Sequence, residues 1–328
     1  MTAETAPAPT DTPGAFIRQR RMSLGDPLLG WGVRILSWLA FLAIVVMLLD
    51  TALHSIKLLE HTSLWDFVTG TAWQPASLVY GALPFIYGTV VTSTIALLIA
   101  VPLALGAALL VNEYLPSRAA TPVAYGIELL AAVPSVVYGF WGVIVLVPAL
   151  RVLEEAVAGS PAGQFPLFSG PVPGPSYFAA GVILAIMILP IVTSVARDAM
   201  RATPRLQREG ALALGATHWE TIRHVVLPFA RGGIFAGVIL GLSRAIGETI
   251  AVLFVIGNQP QINASIFAPG YSLPSVIASE FAEANQPFHP EALIGLGVVL
   301  FVLSFAVNLL ARGVVGRFEA HAGGADVR

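Results

Sequence analysis

Residues 86–110 read IYGTVVTSTIALLIAVPLALGAALL and carry no charged side chain from end to end. A helix needs about 20 apolar residues to cross the hydrocarbon core of a bilayer. The run is apolar on every face, without the period-two alternation over about ten residues that marks a barrel strand. It therefore predicts a membrane-spanning helix. Five further runs of the same kind flank it, at 31–53, 123–150 (with Glu128 as its single charge), 177–196, 232–257 (with Arg244 and Glu248) and 293–311. The expected fold is all-α and integral to the membrane, with six transmembrane helices.

Composition agrees. Of 328 residues, 56% are hydrophobic and 11% charged, and the mean hydropathy is +0.80. A soluble domain carries about 25% charged residues, so an ordinary water-soluble enzyme is excluded. The net charge of -2 argues against a strongly basic nucleic-acid binder. The chain has no cysteine, which excludes disulfides, thiolate metal centres and thiol catalysis. No GxxxxGK[ST] stretch is present, so nucleotide binding by a P-loop is not expected. No grouping of His, Asp and Glu has metal-ligand spacing, and no catalytic residue or metal site is assigned.

Residues 1–30 begin with an Ala/Pro/Thr-rich segment and read as a disordered tail. The first apolar run is too long for a signal-peptide core and is expected to remain as a helix. Lys and Arg collect on the cytoplasmic side of membrane proteins. With six spans, fourteen of the seventeen fall on one side, Lys57 and Arg151 fall on the other, and Arg244 lies inside a span. That split predicts both termini in the cytoplasm.

The loop 159–176 is rich in Gly and Pro and reads as irregular backbone. The segment 258–291 is expected to hold a short helix around 274–284, able to contact an external partner. The basic loop 197–231 differs from both. Within it, residues 204–219 (PRLQREGALALGATHW) predict a helix, a turn at Gly215 and a second short helix running to Pro228. His218 and His224 are expected on the helix surface. An amphipathic hairpin of this kind suits docking better than a loop that only supplies charge.

In this loop Glu209-Gly210-Ala211 is followed three residues later by Gly215, and nine residues further by Val225-Val226-Leu227-Pro228. The pattern resembles the EAA motif of ABC importer permeases, with Gly210 and Val225 as departures. The resemblance implies the type I importer (MetI-like) permease fold, and a coupling loop made of Glu209, Gly210, Ala211, Gly215, Leu227 and Pro228. Glu209 would place the loop through polar contacts and Gly215 would allow its turn. Segments 128–142, 183–200 and 242–258 are similar to the permeases of the phosphate-specific ABC importer, the PstC type more than the PstA type. The likeness covers residues 80–316, a five-helix permease core. It leaves 31–79 as first helix and external loop and 317–328 as a cytoplasmic tail.

The resemblance implies an inner-membrane phosphate permease that catalyses no covalent chemistry. Its partners would be a PstA-type permease, two PstB-type ATPases holding ATP and Mg, and a PstS-type phosphate-binding protein outside. Sulfate or molybdate import, or stand-alone anion transport, is the alternative.

Arg244 and Glu248 stand four residues apart in an apolar run, where a charge costs about 2.5–3.5 kcal/mol on insertion scales. Two readings are open. The pair could lock two helices together, or it could line an anion path, with Ser243 supplying a hydroxyl and Gly247 a close backbone approach. The resemblance ties the matching Arg and Glu to transport. Glu128 is expected to reach outward to the membrane surface rather than pair with Arg197 or Arg244. Pro102, Pro134 and Pro190 are expected kinks.

Overall fold

The computed structural model describes residues 25–323. The bulk of the expected N-terminal tail, with Arg18, Arg20 and Arg21, lies outside them, as does Arg328. Helix α1 (Gly25–Ser55) begins before the predicted Trp31, so the last residues assigned to that tail are helical instead. A 3₁₀ turn (Ile56–Glu60) and α2 (Leu64–Thr69) follow. The Ser63 hydroxyl accepts the Asp66 N–H at 3.1 Å and starts α2. Strands β1 (Trp73–Gln74) and β2 (Val79–Tyr80) then pair antiparallel, Trp73 opposite Tyr80.

Helix α3 (Leu83–Leu109) ends in a π turn (Leu110–Tyr114). Next come α4 (Ser117–Ala132), α5 (Ser135–Trp141), a second π turn (Gly142–Leu146) and α6 (Val147–Ala158). Helix α7 (Tyr177–Arg201) is capped by Ser176, and α8 (Arg205–Ala213) follows it. The chain continues with α9 (His218–Thr221), a third π turn (Ile222–Val226), α10 (Leu227–Gly247) and α11 (Ile250–Val255). It closes with α12 (Leu273–Glu280) and α13 (His289–Gly323).

Among the described residues six helical stretches are long and apolar enough to cross a membrane, as predicted. The Gly/Pro-rich loop holds only short 3₁₀ turns, and the helix expected near 274–284 is α12 with the 3₁₀ turn Phe281–Glu283.

Two predicted spans are not single helices. The run 123–150 breaks at Val133–Pro134, where both residues are extended. Proline has no N–H and pushes its predecessor out of helical geometry, and here the result is a break rather than a kink. The run 232–257 breaks at Glu248, whose backbone is also extended. No proline is involved. Helix α10 stops at Gly247, and the Glu248 carboxylate lies 3.5 Å from the Ala251 N–H in the first turn of α11.

Helix α7 is the centre of the core, with α3 and α10 along it. In lipid, helices gain little from hiding apolar surface and associate by close packing of small residues. Ala96, Ala100, Ala104 and Ala108, one per turn, form the buried stripe of α3. On α10 the stripe is glycine. A Cβ at Gly233, Gly237 or Gly241 would strike Ala199, Val195 and Val192 of α7 in turn. This stepwise antiparallel pairing brings Arg244 level with Ile188, near the middle of α7. The contacts Glu128–Arg197 and Gly142–Ile183 place the Val133–Pro134 break at nearly the same level.

A second cluster, built from Leu58, Phe67, Trp73, Tyr80, Phe85, Leu273 and Leu293, fastens the β-hairpin and α12 over the ends of α3 and α13. Glu280 accepts the Trp73 indole N–H at 2.9 Å and pairs with His289 at 3.1 Å. Burial pushes the Tyr271 hydroxyl above its usual pKa, so it stays protonated and shares a hydrogen bond with Ser279.

The glycine stripe predicts that Gly237→Leu lowers stability by about 1–3 kcal/mol through overpacking against Val195. Gly106→Ala meets open space and is expected to gain about 0.5–1 kcal/mol. Unfolding of the detergent-solubilised variants against denaturant measures both.

Candidate functional site

The two helix breaks lie side by side. Helix α5 packs on α11, and a Cβ at Gly139 would strike Phe254 and the Ala251 backbone. A Cβ at Gly142 would meet Val255. Each break is bridged by a side chain. The Tyr138 hydroxyl donates to the Leu130 carbonyl at 2.8 Å, across Val133–Pro134. On the other side the Glu248 carboxylate lies against the first turn of α11, 3.5 Å from the Ala251 N–H.

At this level Arg244 and Glu248 face each other, with Nη2 and Oε2 4.0 Å apart. That is longer than a hydrogen bond, so the pair is loose. The carboxylate is buried at 8% side-chain exposure, whereas the guanidinium is 43% exposed. The guanidinium thus keeps its planar fork of donors available, with the Glu248 carboxyl group beside it. A planar fork of donors level with the middle of α7 is suited to an oxyanion.

The other two residues assigned to this site divide. A Cβ at Gly247 would meet nothing within 4 Å, so the face beside Arg244 is open. Ser243 turns away. Its hydroxyl is placed to donate to the Ile239 carbonyl (2.9 Å) or to Asn308 Oδ1 (2.8 Å) on α13. It ties α10 to α13 and is not free to donate to a ligand, contrary to expectation.

The helix–turn–helix of 204–219 is present. Gly215 has φ +88, a conformation that suits glycine, and Thr217 with Glu220 forms a capping box at the start of α9. The second helix is not separate, however. It runs through the third π turn into α10, and Leu227-Pro228 lies inside this continuous stretch. The π turn takes up Pro228, which has no N–H of its own to give.

Glu209 is exposed and makes no hydrogen bond among the described residues, and Gly210 faces open space. The polar contacts expected of Glu209 belong to its neighbour. Arg208 Nη1 donates to both Glu113 oxygens, at 2.8 and 2.9 Å, and Nη2 donates to the Met200 carbonyl at 2.7 Å. Glu113 is only 4% exposed. His218 adds a contact to the Glu113 carbonyl at 3.3 Å and an edge contact with Tyr114, so it is more than a surface residue. His224 contacts the Glu220 carbonyl on its own helix, at 3.1 Å. Arg208 thus clamps the hairpin to the ends of α3 and α7. Its only sequence signal was an acid at the end of one apolar run and a base far along the chain. Leu206, Leu214 and Trp219 stay exposed on the hairpin.

Glu128 does not reach outward. It accepts from Arg197 Nη2 at 2.9 Å and joins α4 to α7.

Six apolar helical stretches, two helix breaks level with the middle of α7 and a hairpin with exposed apolar residues are the features of a membrane transport subunit. The chain belongs to the family described as binding-protein-dependent transport system inner membrane component, whose model matches residues 100–320. It is 43% identical to the phosphate transport system permease protein PstC of Mesorhizobium japonicum over 79% of this chain and 80% of that protein. It is 38% identical to the Xylella fastidiosa (strain Temecula1) protein of the same name over 98% and 100%. Identity to PstC 2 of Mycobacterium tuberculosis is 40% over 85% and 87%. Among solved structures, an inward-facing MetNI methionine ABC transporter chain superposes with TM-score 0.52 at 14% identity, covering 75% of this chain and 99% of that one. This likeness shows the fold, and it is the importer-permease fold that the EAA-type loop predicts.

Arg208→Ala leaves a buried Glu113 carboxylate without its cation, with the Asn112 amide (2.6 Å) still donating to it, and such a loss typically costs about 3–5 kcal/mol. Adding Glu113→Gln is expected to recover much of that loss. A double-mutant cycle of unfolding free energies measures the coupling.

Proposed function

We propose that this chain is a permease subunit of an ATP-driven importer of inorganic phosphate. Its relatives at 38–43% identity carry the name of phosphate transport permeases. The observation that carries the reading within the chain is Arg244. It is a half-exposed guanidinium at a helix break midway along α7, with donors to spare. Substrate sites in membrane transporters commonly lie at such discontinuities near the midplane.

The partners follow from the reading. A PstA-type permease would complete the pathway. Two PstB-type ATPases, holding ATP and Mg, would dock on the hairpins, and a PstS-type binding protein would deliver phosphate from outside. Both termini would lie in the cytoplasm, as the distribution of Lys and Arg supports.

In the empty state Glu248 balances part of the Arg244 charge, so the guanidinium does not stand uncompensated in a poorly polarisable surrounding. Phosphate would displace the loose Glu248 contact and take the donor fork. The carboxylate remaining nearby keeps the site from holding the anion too tightly to release. The hairpin connects mechanically to this site. From Thr217 to Arg244 the backbone is one helical stretch, so a push on the hairpin is a push on the break. The Arg208 clamp passes the same displacement to α3 and α7. Alternating access then needs only rigid-body motion.

Uptake of labelled phosphate tests the reading in cells lacking their own permease and supplied with this chain and its partner subunits. Excess sulfate and molybdate are expected to leave uptake unchanged. Arg244→Ala is expected to lower it by more than about tenfold, the equivalent of about 1.4 kcal/mol in transition-state stabilisation. Uptake surviving Arg244→Ala would make the pair a structural lock. An assembled complex that moves sulfate or molybdate and not phosphate would overturn the substrate.

A further inference from the structure

Between α4 and the last turns of α7 lies a cavity of about 230 Å³, unrelated to the Arg244 site. Its walls carry Arg197 and Arg201 on α7, and Thr121, Ala124, Tyr125 and Glu128 on α4. Arg197 and Arg201 stand four residues apart on one helix face, where like charges repel. One carboxylate in the cavity, Glu128, faces both. Its 2.9 Å contact goes to Arg197. Arg201 makes no ion pair among the described residues.

Arg197 itself is not saturated. Its side chain is 14% exposed, and its buried Nε makes no hydrogen bond. The Asp198 carboxylate is 3.5 Å from that nitrogen, within ion-pair range but not in hydrogen-bond geometry, and it is 67% exposed on the outer side. The Tyr125 hydroxyl has no partner among the described residues either. The cavity therefore carries two guanidinium groups, one shared carboxylate and a spare hydroxyl, with donors in excess of acceptors. Headgroup neutralisation at a basic membrane face explains an exposed Arg201. It does not explain a cavity lined by a largely buried Arg197 whose Nε lacks a hydrogen bond.

The geometry points to an oxyanion site here, for a phosphate group held between the Arg197 and Arg201 forks. The ligand competes with Glu128 for Arg197. Nine residues separate Arg197 from the level of Arg244 on α7, about 14 Å of helix rise, so one small anion cannot occupy both sites. The site lies one turn before the α7–α8 junction and the Arg208 clamp. Occupancy would therefore loosen α4 from α7 at the end that carries the hairpin. The phosphate group could be that of free inorganic phosphate or of an anionic lipid headgroup, and the recognising chemistry is the same. The assignment stands whether or not phosphate is the transported ion.

The absence of native cysteine allows a local readout. The full-length chain with Thr121→Cys, in phosphatidylcholine nanodiscs, is labelled with a neutral thiol reagent at constant ionic strength. Inorganic phosphate at about ten times its dissociation constant is expected to slow labelling about tenfold by mass action. Labelling of Gln207→Cys, on exposed α8, is expected to be unaffected. Adding Arg201→Gln should abolish the protection, and adding Glu128→Gln should lower the phosphate concentration needed. Protection by phosphatidylglycerol nanodiscs alone, with no further effect of phosphate, would assign the same site to a lipid headgroup. Labelling that responds to neither source, or protection that persists in Arg201→Gln, would overturn the proposal.

Discussion

An N–H or carbonyl released from a helix within a bilayer has no water to turn to. This chain releases such groups twice at about the same depth, at Val133–Pro134 and at Glu248. Much of the remaining architecture answers that demand. Tyr138 supplies the Leu130 carbonyl, Glu248 supplies the Ala251 N–H, and the two broken helices cover each other through contacts that only Gly139 and Gly142 permit. A side chain that completes a backbone break is fixed in place. Glu248 is therefore held where it can tune Arg244, and its structural role and its electrostatic role come from the same carboxylate.

Around the breaks, the bundle relies on shape more than on apolar burial. Alanine along α3 and glycine along α10 let backbones approach α7 to distances that larger side chains would forbid. Close contact over several turns leaves few ways to slide, so helices in such contact move together. The bidentate Arg208–Glu113 pair extends this stiffness beyond the spans. It is largely out of water at both partners, and it joins the hairpin to two helices at once.

Spans were legible because a bilayer leaves a coarse, long signature. The hairpin was legible because its motif has fixed spacing with a glycine that the turn needs. What remained hidden was interruption and pairing. Proline at 134 pointed to a local disturbance but not to its size, since a kink and a break begin from the same missing N–H. At Glu248 the marker is Gly247, which membrane helices often carry without interruption. Arg208 drew less notice than Glu209 because the motif directs attention to the acid, while its partner Glu113 is remote in sequence. Glu128 and Ser243 were ambiguous for the same reason. Each could serve solvent, ligand or protein, and only the neighbouring helix decides which.

The π turn at Ile222–Val226 has a bearing on how this architecture can change over time. One residue beyond the α-helical count is stored there, absorbed in a single wide turn. The wide turn can give up that residue with little change of length or phase, whereas loss of one residue from the regular helix beside it would shorten the rod by about 1.5 Å and turn one end against the other by about 100°. The apolar surface of the hairpin and the guanidinium at the far end would each remain intact yet point in incompatible directions. The residue count of the helix between the hairpin and Arg244 is therefore under geometric constraint.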